Sequence, residues 1–243
     1  VVADNDECLG VNSRSQLATA SKIAQRRIND ELMAAGVTML DPDLVWVGPD
    51  CVVENDVELL PMTMLWGTTR ISGGCVIGPN TRLTDCAIGP DNALEEVVAI
   101  ETTTETGVTA GPRAYLRPGT YLCEGHVGTH VEIKKSTVGP DSKVPHLSYI
   151  GDATIGTDVN IGAGSITCNY DGVNKHQTVI GDFTFVGSNT MLVAPVRLGS
   201  NVVTGAASCI TKDVPDGALA IERNEQRIVE DWTTRHFANK RKA

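Results

Sequence analysis

Three short segments of the chain carry side chains that suit the transfer of an acyl group to an amine. They are residues 116–119, 131–135 and 146–152. Successive segments are separated by about one coil of the pattern described below, roughly seventeen and twelve residues. If that pattern folds as stacked coils, the three segments come to one neighbourhood.

Each step of such a reaction needs a particular type of side chain. The amine must lose a proton, and histidine is the usual base near neutral pH, so His146 is the candidate base. Glu132 is a candidate to orient its imidazole, as carboxylates do in other histidine-based sites. A phosphorylated substrate needs arginine or lysine, and Arg117 and Lys134 supply these cations.

Simpler interpretations of the same residues stay open on composition alone. His146, Arg117 and Lys134 would also suit an ordinary solvated surface, and Tyr149 could cover a coil edge. Asn160 would suit a tight turn. Three small residues would suit tight corners: Ala163, Ser188 and Ala206.

A metal site is a further possibility, because His126 and His130 are flanked by Glu124 and Glu132. The spacing of the two histidines suits an α-helix rather than a coil of short strands. A metal site is therefore the weaker interpretation of these residues.

An aliphatic residue recurs at every sixth position through much of the chain. The clearest run starts at Ile180 and continues through Val186, Leu192 and Leu198 to Thr204 and Ile210, with glycine after four of the six. Earlier runs include Ile71, Ile77 and Leu83; Ile88, Leu94 and Ile100; Val138, Val144 and Ile150; and Ile155 and Ile161. A period of six fits neither a helix nor a continuous strand, and it predicts short strands joined by turns.

Three such units would close one triangular coil, and stacked coils would share a continuous aliphatic core. Residues 47–214 have room for roughly nine coils of about eighteen residues. Parallel crossovers are normally right-handed, so the pattern itself gives no reason to expect the opposite hand.

The repeat changes phase across residues 168–176, a polar segment with the turn signal Asp171-Gly172. This segment is predicted to be a loop pushed out of the coil, and such loops often carry function. Before the repeats, residues 15–35 predict a helix with an apolar stripe from Leu17 to Leu32, capped by Ser13 or Ser15. After them, residues 224–238 predict a short helix, followed by a basic tail.

Composition excludes several classes of protein. The net charge of −10 argues against a nucleic-acid or anionic-membrane surface. No apolar run is long enough to span a bilayer, and the acidic first residues lack the basic segment of a signal peptide. The seven cysteines contain no CxxC pair, which favours reduced thiols in a cytoplasmic protein.

Several longer motifs resemble one known family. LeuArgProGly, ValGluIleLysLys, HisLeuSerTyrIleGlyAsp, AsnIleGlyAlaGlySerIleThrCysAsnTyrAspGly and AlaIleGluArg occur here in the family's order. The chain is similar to the C-terminal domain of the bifunctional N-acetylglucosamine-1-phosphate uridyltransferase/glucosamine-1-phosphate acetyltransferase. That resemblance implies an all-β, left-handed parallel β-helix of hexapeptide repeats that uses acetyl-CoA, with a linker helix before it and a short helix after it.

The resemblance also implies the role of each site residue. His146 would be the base, assisted by Glu132, and the sugar phosphate would lie among Arg117, Lys134, Tyr149 and Asn160. Acetyl-CoA would lie along Ala163, Asn169, Tyr170, Ser188, Ala206 and Arg223. Asn12 matches an asparagine that binds nucleotide sugar and Mg²⁺ in the uridyltransferase domain, whose glycine-rich loop is absent from this sequence.

The implied domain organisation is a uridyltransferase remnant at residues 1–14 and a linker helix at 15–36. The β-helix would follow at 37–222, and the C-terminal helix and tail at 223–243. The implied product is N-acetylglucosamine-1-phosphate, a step toward UDP-N-acetylglucosamine and the cell wall. The resemblance further implies a cytoplasmic homotrimer with acetyl-CoA sites shared between subunits.

Two other classes of function compete with the acetyltransferase. One is a non-catalytic β-helix that serves only for oligomerisation or regulation, but the 168–176 loop and His146 favour an enzyme. The other is a metal-dependent hydratase of the same fold, which would need histidine ligands that converge across subunits.

Overall fold

The fold is given by a computed structural model that describes residues 8–237. Most of these residues form a parallel β-helix with three flat sides, each side being one sheet. The predicted basic tail at residues 239–243 lies outside the described residues, as do residues 1–7 of the predicted uridyltransferase remnant.

The three sheets contain eleven, ten and nine short parallel strands within the described residues. Sheet A consists of Thr38–Met39, Glu58–Leu59, Val76–Ile77, Ala93–Leu94, Thr109–Ala110, Gly125–Thr129, Ser142–His146, Asn160–Ile161, Phe185–Val186, Val203–Thr204 and Leu219–Ala220. Sheet B consists of Trp46–Val47, Met64–Trp66, Arg82–Thr84, Val98–Ile100, Tyr115–Leu116, Glu132–Lys134, Tyr149–Gly151, Ile166–Cys168, Met191–Val193 and Cys209–Ile210. Sheet C consists of Val52–Val53, Arg70–Ile71, Ala87–Ile88, Thr103–Thr104, Tyr121–Leu122, Thr137–Val138, Ala153–Ile155, Thr178–Ile180 and Val196–Leu198.

This architecture confirms the parallel β-helix predicted from the period of six, whereas its left-handed sense stays a prediction. Sheet A has nine strands within residues 47–214, which confirms the estimate of nine coils for that interval. One further strand of sheet A lies on each side of it, so the coil as a whole runs from Thr38 to Ala220.

The core is a stack of aliphatic side chains directed into the coil. Ile77, Leu94, Ile161 and Val186 are buried along sheet A, as predicted. Ile100 was assigned to the core incorrectly. Its neighbour Ala99 is buried instead, because the coils vary in length and the inward phase shifts by one residue at some corners.

The helix that precedes the coil spans Arg14–Ala34, and Ser13 caps it by accepting a hydrogen bond from the Gln16 amide. The predicted apolar stripe is only partly used, since Leu17 is exposed. The most buried helix side chains are the amides of Gln25 and Asn29, which donate to the Val45 carbonyl. The helix therefore covers the first coil partly through polar contacts.

Two smaller elements complete the described chain. A 3-10 helix spans Pro42–Leu44, and the second α-helix spans Trp232–Phe237. The second helix is much shorter than the predicted 224–238, because residues 224–229 form no regular secondary structure and are exposed.

The cysteines in the described residues are free thiols, of which Cys75 and Cys86 are buried. Burial raises the pKa of the Cys86 thiol. The remaining cysteines are at least partly accessible, so burial explains fewer of them than predicted.

Candidate functional site

His146 lies at the corner where sheet A passes to sheet B. It is the last residue of its strand, and Leu147 then adopts a positive φ of 50°, which turns the chain toward the next sheet. The Ser148 hydroxyl donates to the His146 carbonyl at 2.8 Å and fixes this turn. Because the His146 side chain is exposed, its imidazole is available to a substrate.

The next coils place three of the predicted acetyl-CoA residues beyond His146 on the same corner. Hydrogen bonds between successive coils join the corner backbone at each step. They run from Gly164 N to His146 O (3.2 Å), from Asn189 N to Ala163 O (2.7 Å) and from Ala207 N to Ser188 O (2.8 Å). We call His146, Ala163, Ser188 and Ala206 the corner column.

The corner column spans three steps of the coil, which is about 14 Å at the spacing of neighbouring strands. Beyond His146 the side chains of the column are small, so they project little from this edge of the coil. At its far end the Arg223 guanidinium donates to the Ala206 carbonyl at 2.8 Å. The column therefore joins a candidate base to a cation along one edge.

Arg117 and Glu132 form an ion pair on the outer face of sheet B. Arg117 Nη1 donates to Glu132 Oε1 at 2.7 Å, and this bond raises the pKa of the Arg117 guanidinium. The predicted orienting contact between Glu132 and His146 is not formed among the described residues. Glu132 is in register with Tyr115 and Tyr149 in the neighbouring coils, so the nearby Arg117 is the partner that it meets.

A second ion pair lies where sheet B ends, and it is more enclosed. Lys134 Nζ lies 3.2 Å from Asp152 Oδ2, with side chains only 13% and 20% exposed. The buried Asn169 side chain donates its amide to the same oxygen. We call Lys134, Asp152 and Asn169 the carboxylate cluster. Asp152 was not assigned a role from the sequence, although it ends one of the quoted motifs.

Tyr149 lies beside this cluster because Gly151 leaves room for it. A Cβ atom on Gly151 would lie 2.5 Å from the Tyr149 hydroxyl oxygen and 2.7 Å from the Asn169 amide nitrogen. Gly151 thus allows Tyr149, which is predicted to bind the sugar phosphate, to approach Asn169, which is predicted to bind acetyl-CoA. A side chain at this position would force both to move.

Asn160 lies apart from this group, on the outer face of sheet A. Its strand pairs with Lys143 on one side and Phe185 on the other. The residues predicted to hold the sugar phosphate are therefore on two faces of one chain, on either side of the His146 corner.

A second imidazole on sheet A was considered only as a metal ligand. His126 Nδ1 lies 2.9 Å from the Thr109 hydroxyl. Burial lowers the pKa of His126, and the nearby charges of His146 and Lys143 lower it further. Sequence spacing gave no signal for this arrangement, since the contact joins successive coils.

Residues 169–176 form a loop outside the coil, as the phase change predicted, whereas Cys168 still belongs to a strand of sheet B. Asp171 organises it by accepting hydrogen bonds from the amides of Val173 and Asn174 and by pairing with His176 Nε2 at 2.7 Å. These contacts, above all that with the Asn174 amide, hold the pKa of Asp171 well below its usual range. The loop therefore presents Asn169 and Tyr170 from a stable turn.

Nothing in the described residues fits a magnesium or other multi-ligand metal site. No group of three or more His, Cys, Asp or Glu residues between positions 8 and 237 is placed to hold a metal ion. Asn12 is exposed, and its backbone amide donates a hydrogen bond to the side-chain oxygen of Gln16. One amide oxygen is too few for Mg²⁺, which prefers six oxygen ligands, so we derive no step through this ion.

The fold and the site together define the class of protein, a parallel β-helix of hexapeptide repeats. An exposed histidine lies where sheet A passes to sheet B, one ion pair lies on sheet B, and a second ion pair and an external loop lie where sheet B passes to sheet C. No helix in residues 8–237 is long and apolar enough to cross a membrane.

The chain is similar over nearly its whole length to curated bifunctional proteins. The chain is 52% identical over 232 residues to the bifunctional protein GlmU of Carboxydothermus hydrogenoformans, covering 95% of this chain and 52% of that protein. It is 52% identical over 233 residues to GlmU of Heliobacterium modesticaldum, covering 96% and 51%. The match therefore fits the C-terminal acetyltransferase domain of the GlmU proteins.

The extent of the match limits what it shows. The chain spans about half the length of these curated relatives. The relationship supports an acetyltransferase enzyme, as predicted. No family model matches the chain.

Solved structures show only a distant likeness. A mutant GDP-perosamine N-acetyltransferase from Caulobacter crescentus, in complex with CoA and GDP-perosamine, gives a TM-score of 0.36 at 14% identity, covering 83% of this chain and 62% of that one. The UDP-N-acetylglucosamine acyltransferase of Francisella novicida gives 0.35 at 15% identity, covering 76% and 66%. These scores are too low to support an inference about this chain.

Proposed function

We propose that this chain transfers the acetyl group of acetyl-CoA to the amine of glucosamine-1-phosphate, giving N-acetylglucosamine-1-phosphate. The observation that carries the proposal is the corner column, in which a possible base and three small residues share one edge. Its relationship to the GlmU proteins supports the choice of reaction. The product would serve the synthesis of UDP-N-acetylglucosamine and, through it, the cell wall.

In this proposal His146 takes the proton from the amine. The amine nitrogen attacks the thioester carbonyl, the new C–N bond forms, and the C–S bond breaks to release CoA. An exposed imidazole suits this task because histidine changes charge near neutral pH. Its position at one end of the corner column would place it beside the thioester end of acetyl-CoA.

The cations of the two ion pairs would bind the sugar phosphate. Arg117 offers a planar guanidinium and Lys134 an ammonium, and both suit phosphate oxygens. Tyr149 lies beside Lys134 and would contact the sugar. Glu132 holds Arg117 in place, so we now propose that it serves the catalytic site through Arg117 rather than through His146.

Acetyl-CoA would lie along Ala163, Ser188 and Ala206. Small side chains leave an edge against which an extended ligand can lie, and Arg223 would supply a positive charge at its far end. The external loop at 169–176 would contribute Asn169 and Tyr170 from the neighbouring corner.

We further propose that the active unit is a homotrimer. Asn160 faces away from Tyr149 and Lys134 in one chain, so a single substrate could contact all three only if a neighbouring copy supplied one of these faces. Sedimentation equilibrium is expected to give three times the monomer mass, and a monomer that retains full activity would contradict this assembly.

The proposed reaction is tested by two assays on one preparation of this chain. We expect thiol release from acetyl-CoA when glucosamine-1-phosphate is present, and none when N-acetylglucosamine-1-phosphate replaces it, because that compound has no free amine. We expect no pyrophosphate release from UTP, since the phosphate-binding loop and the Mg²⁺ carboxylates of uridylyl transfer are not in this sequence. Absence of thiol release would contradict the proposal.

A further inference from the structure

The carboxylate cluster contains an aspartate for which the proposed reaction has no use. Asp152 is held on both sides by its backbone: its amide donates to the Lys134 carbonyl at 3.0 Å, and its carbonyl accepts from the Thr178 amide at 3.2 Å. Its φ of 51° places it in the left-handed region. Asp152 is therefore fixed at the corner between sheets B and C.

One oxygen of its side chain has two partners. Asp152 Oδ2 lies 3.2 Å from Lys134 Nζ and also accepts the amide of Asn169. These two partners belong to different parts of the site. Lys134 is on a strand of sheet B, and Asn169 is the first residue of the external loop, directly after another strand of that sheet.

The ion pair between Lys134 and Asp152 differs from an ordinary surface ion pair because it is largely buried. Surface pairs contribute little because water competes for both charges. The side chains of Lys134 and Asp152 are 13% and 20% exposed, whereas those of Arg117 and Glu132 are both 38% exposed. Removing one partner from an enclosed pair leaves a poorly solvated charge, so the geometry of the remaining group changes most there.

We infer that Asp152 is a positioning residue that couples the sugar-phosphate and acetyl-CoA sides of the active site. This inference rests on the proposed function. The carboxylate directs the Lys134 ammonium and, through Asn169, fixes the base of the loop. Asp152 touches neither substrate and acts only through these two neighbours.

If Asp152 couples the two sides of the site, its loss should change KM for both substrates in a way that distinguishes it from Lys134 and Asn169. Loss of Lys134 alone affects mainly the sugar phosphate, and loss of the Asn169 amide affects mainly acetyl-CoA. Loss of the Asp152 charge affects both substrates, because charge-assisted hydrogen bonds are about twice as strong as neutral ones. A residue with a purely structural role would instead lower the fraction of active protein and leave both KM values unchanged.

The test uses Asp152→Asn, because asparagine has the same shape and tolerates positive φ. We expect KM to rise by about fivefold for glucosamine-1-phosphate and about threefold for acetyl-CoA, with kcat changed less than either. Asp158→Asn is the matched control: Asp158 has the same φ of 51° at the next corner of the coil, six residues later, and its side chain is exposed. We expect it to leave both KM values unchanged.

A second variant approaches the same oxygen from the loop. Asn169→Asp opposes a second carboxylate to Asp152 and competes for Lys134, so we expect KM to rise for both substrates. An effect on acetyl-CoA alone in this variant would overturn the coupling. This variant also keeps the test valid if Asp152→Asn does not fold.

The outcomes separate this inference from the proposed function. Turnover by the wild type together with an unchanged or lowered KM for either substrate in Asp152→Asn overturns the role of Asp152 and leaves the reaction standing. A fall in kcat at normal KM values, with a lower melting temperature, also overturns it. No turnover by the wild type contradicts the proposed reaction itself.

Discussion

The coils before and after His146 share one scaffold but differ in regularity. Before it, successive strands follow at nearly constant spacing, as from Val52 to Arg70 and from Ala87 to Thr103. After it, the step from Thr154 to Val179 contains the extra residues of the external loop. The regular coils show what the repeat needs for stability, and the departures mark where a ligand would bind.

Small residues along the corner between sheets A and B do not all have the same cause. On both sides of His146 the corner contains glycines, such as Gly111 and Gly162, where an added Cβ would collide with the backbone of a neighbouring coil, so packing accounts for these glycines. After His146 the corner contains Ala163 and Ser188, whose small side chains suit a ligand edge. A residue of modest size therefore indicates function only where packing does not already require it.

Replacement of His146 is expected to have the largest effect on activity. His146→Ala should lower kcat by about two to four orders of magnitude, the usual range for loss of a general base. The melting temperature should change little, because an exposed side chain contributes little packing. Steady-state kinetics and thermal melts measure both quantities.

His130→Ala is the control for this variant. His130 is also exposed and lies at the same corner one coil earlier. We expect it to retain normal turnover. Near-normal turnover in His146→Ala would contradict the role of His146 as the general base.

Obstruction of the corner column is expected to have the next largest effect. Ala206→Trp should weaken acetyl-CoA binding on the order of a hundredfold, because an indole would fill the edge against which the ligand lies. Calorimetry measures the affinity. Ala87→Trp, on the exposed face of sheet C, should bind normally, and normal binding by Ala206→Trp would place the ligand elsewhere.

The two cations should affect the sugar phosphate more than acetyl-CoA. Arg117→Ala and Lys134→Ala should each raise KM for glucosamine-1-phosphate by about tenfold, since they contact a charge already present in the ground state. The measurement is KM for each substrate with the other saturating. A change confined to acetyl-CoA would contradict this assignment.

The smallest effect is expected from the pH response of the loop. The pKa of Asp171 is lower in the folded chain than in an unfolded one. Its contribution to the stability of the folded loop is therefore fully present at pH values above the ordinary aspartate range. That contribution is lost only as pH falls through the lowered folded value. The loop should therefore stay ordered in mild acid.

Carboxyl NMR of Asp171 and amide exchange at Val173 and Asn174 test this response. Titration of Asp171 in the ordinary aspartate range would show that the loop contacts do not persist in solution. Asp171→Asn should raise KM for acetyl-CoA about threefold, because the turn that presents Asn169 and Tyr170 loses charge-assisted hydrogen bonds.

The architecture could be predicted from the sequence because the hexapeptide period is strict. Ile77, Leu94 and Ile161 were placed in the core by spacing alone. Ile100 was misplaced because coil length varies at the corners, and a one-residue slip reverses which side chain points inward. The external loop could be predicted because its polar residues interrupt the period.

Contacts between coils were harder to predict. Glu132 was paired with His146 on chemical type, but the structure pairs it with Arg117, because register between coils decides which side chains meet. Asp152 was overlooked for the same reason: its partners, Lys134 and Asn169, are about one coil away in each direction. The buried amides of Gln25 and Asn29 also escaped prediction, since an apolar stripe was expected to face the first coil.

The central claim is that the ligand edge lies after His146 and not before it. NMR of chain labelled at alanine methyl groups, titrated with acetyl-CoA, tests this claim most directly. We expect the methyl signals of Ala163 and Ala206 to shift, while those of Ala93 and Ala110 in the earlier coils stay unchanged. Shifts confined to Ala93 and Ala110 would contradict the account.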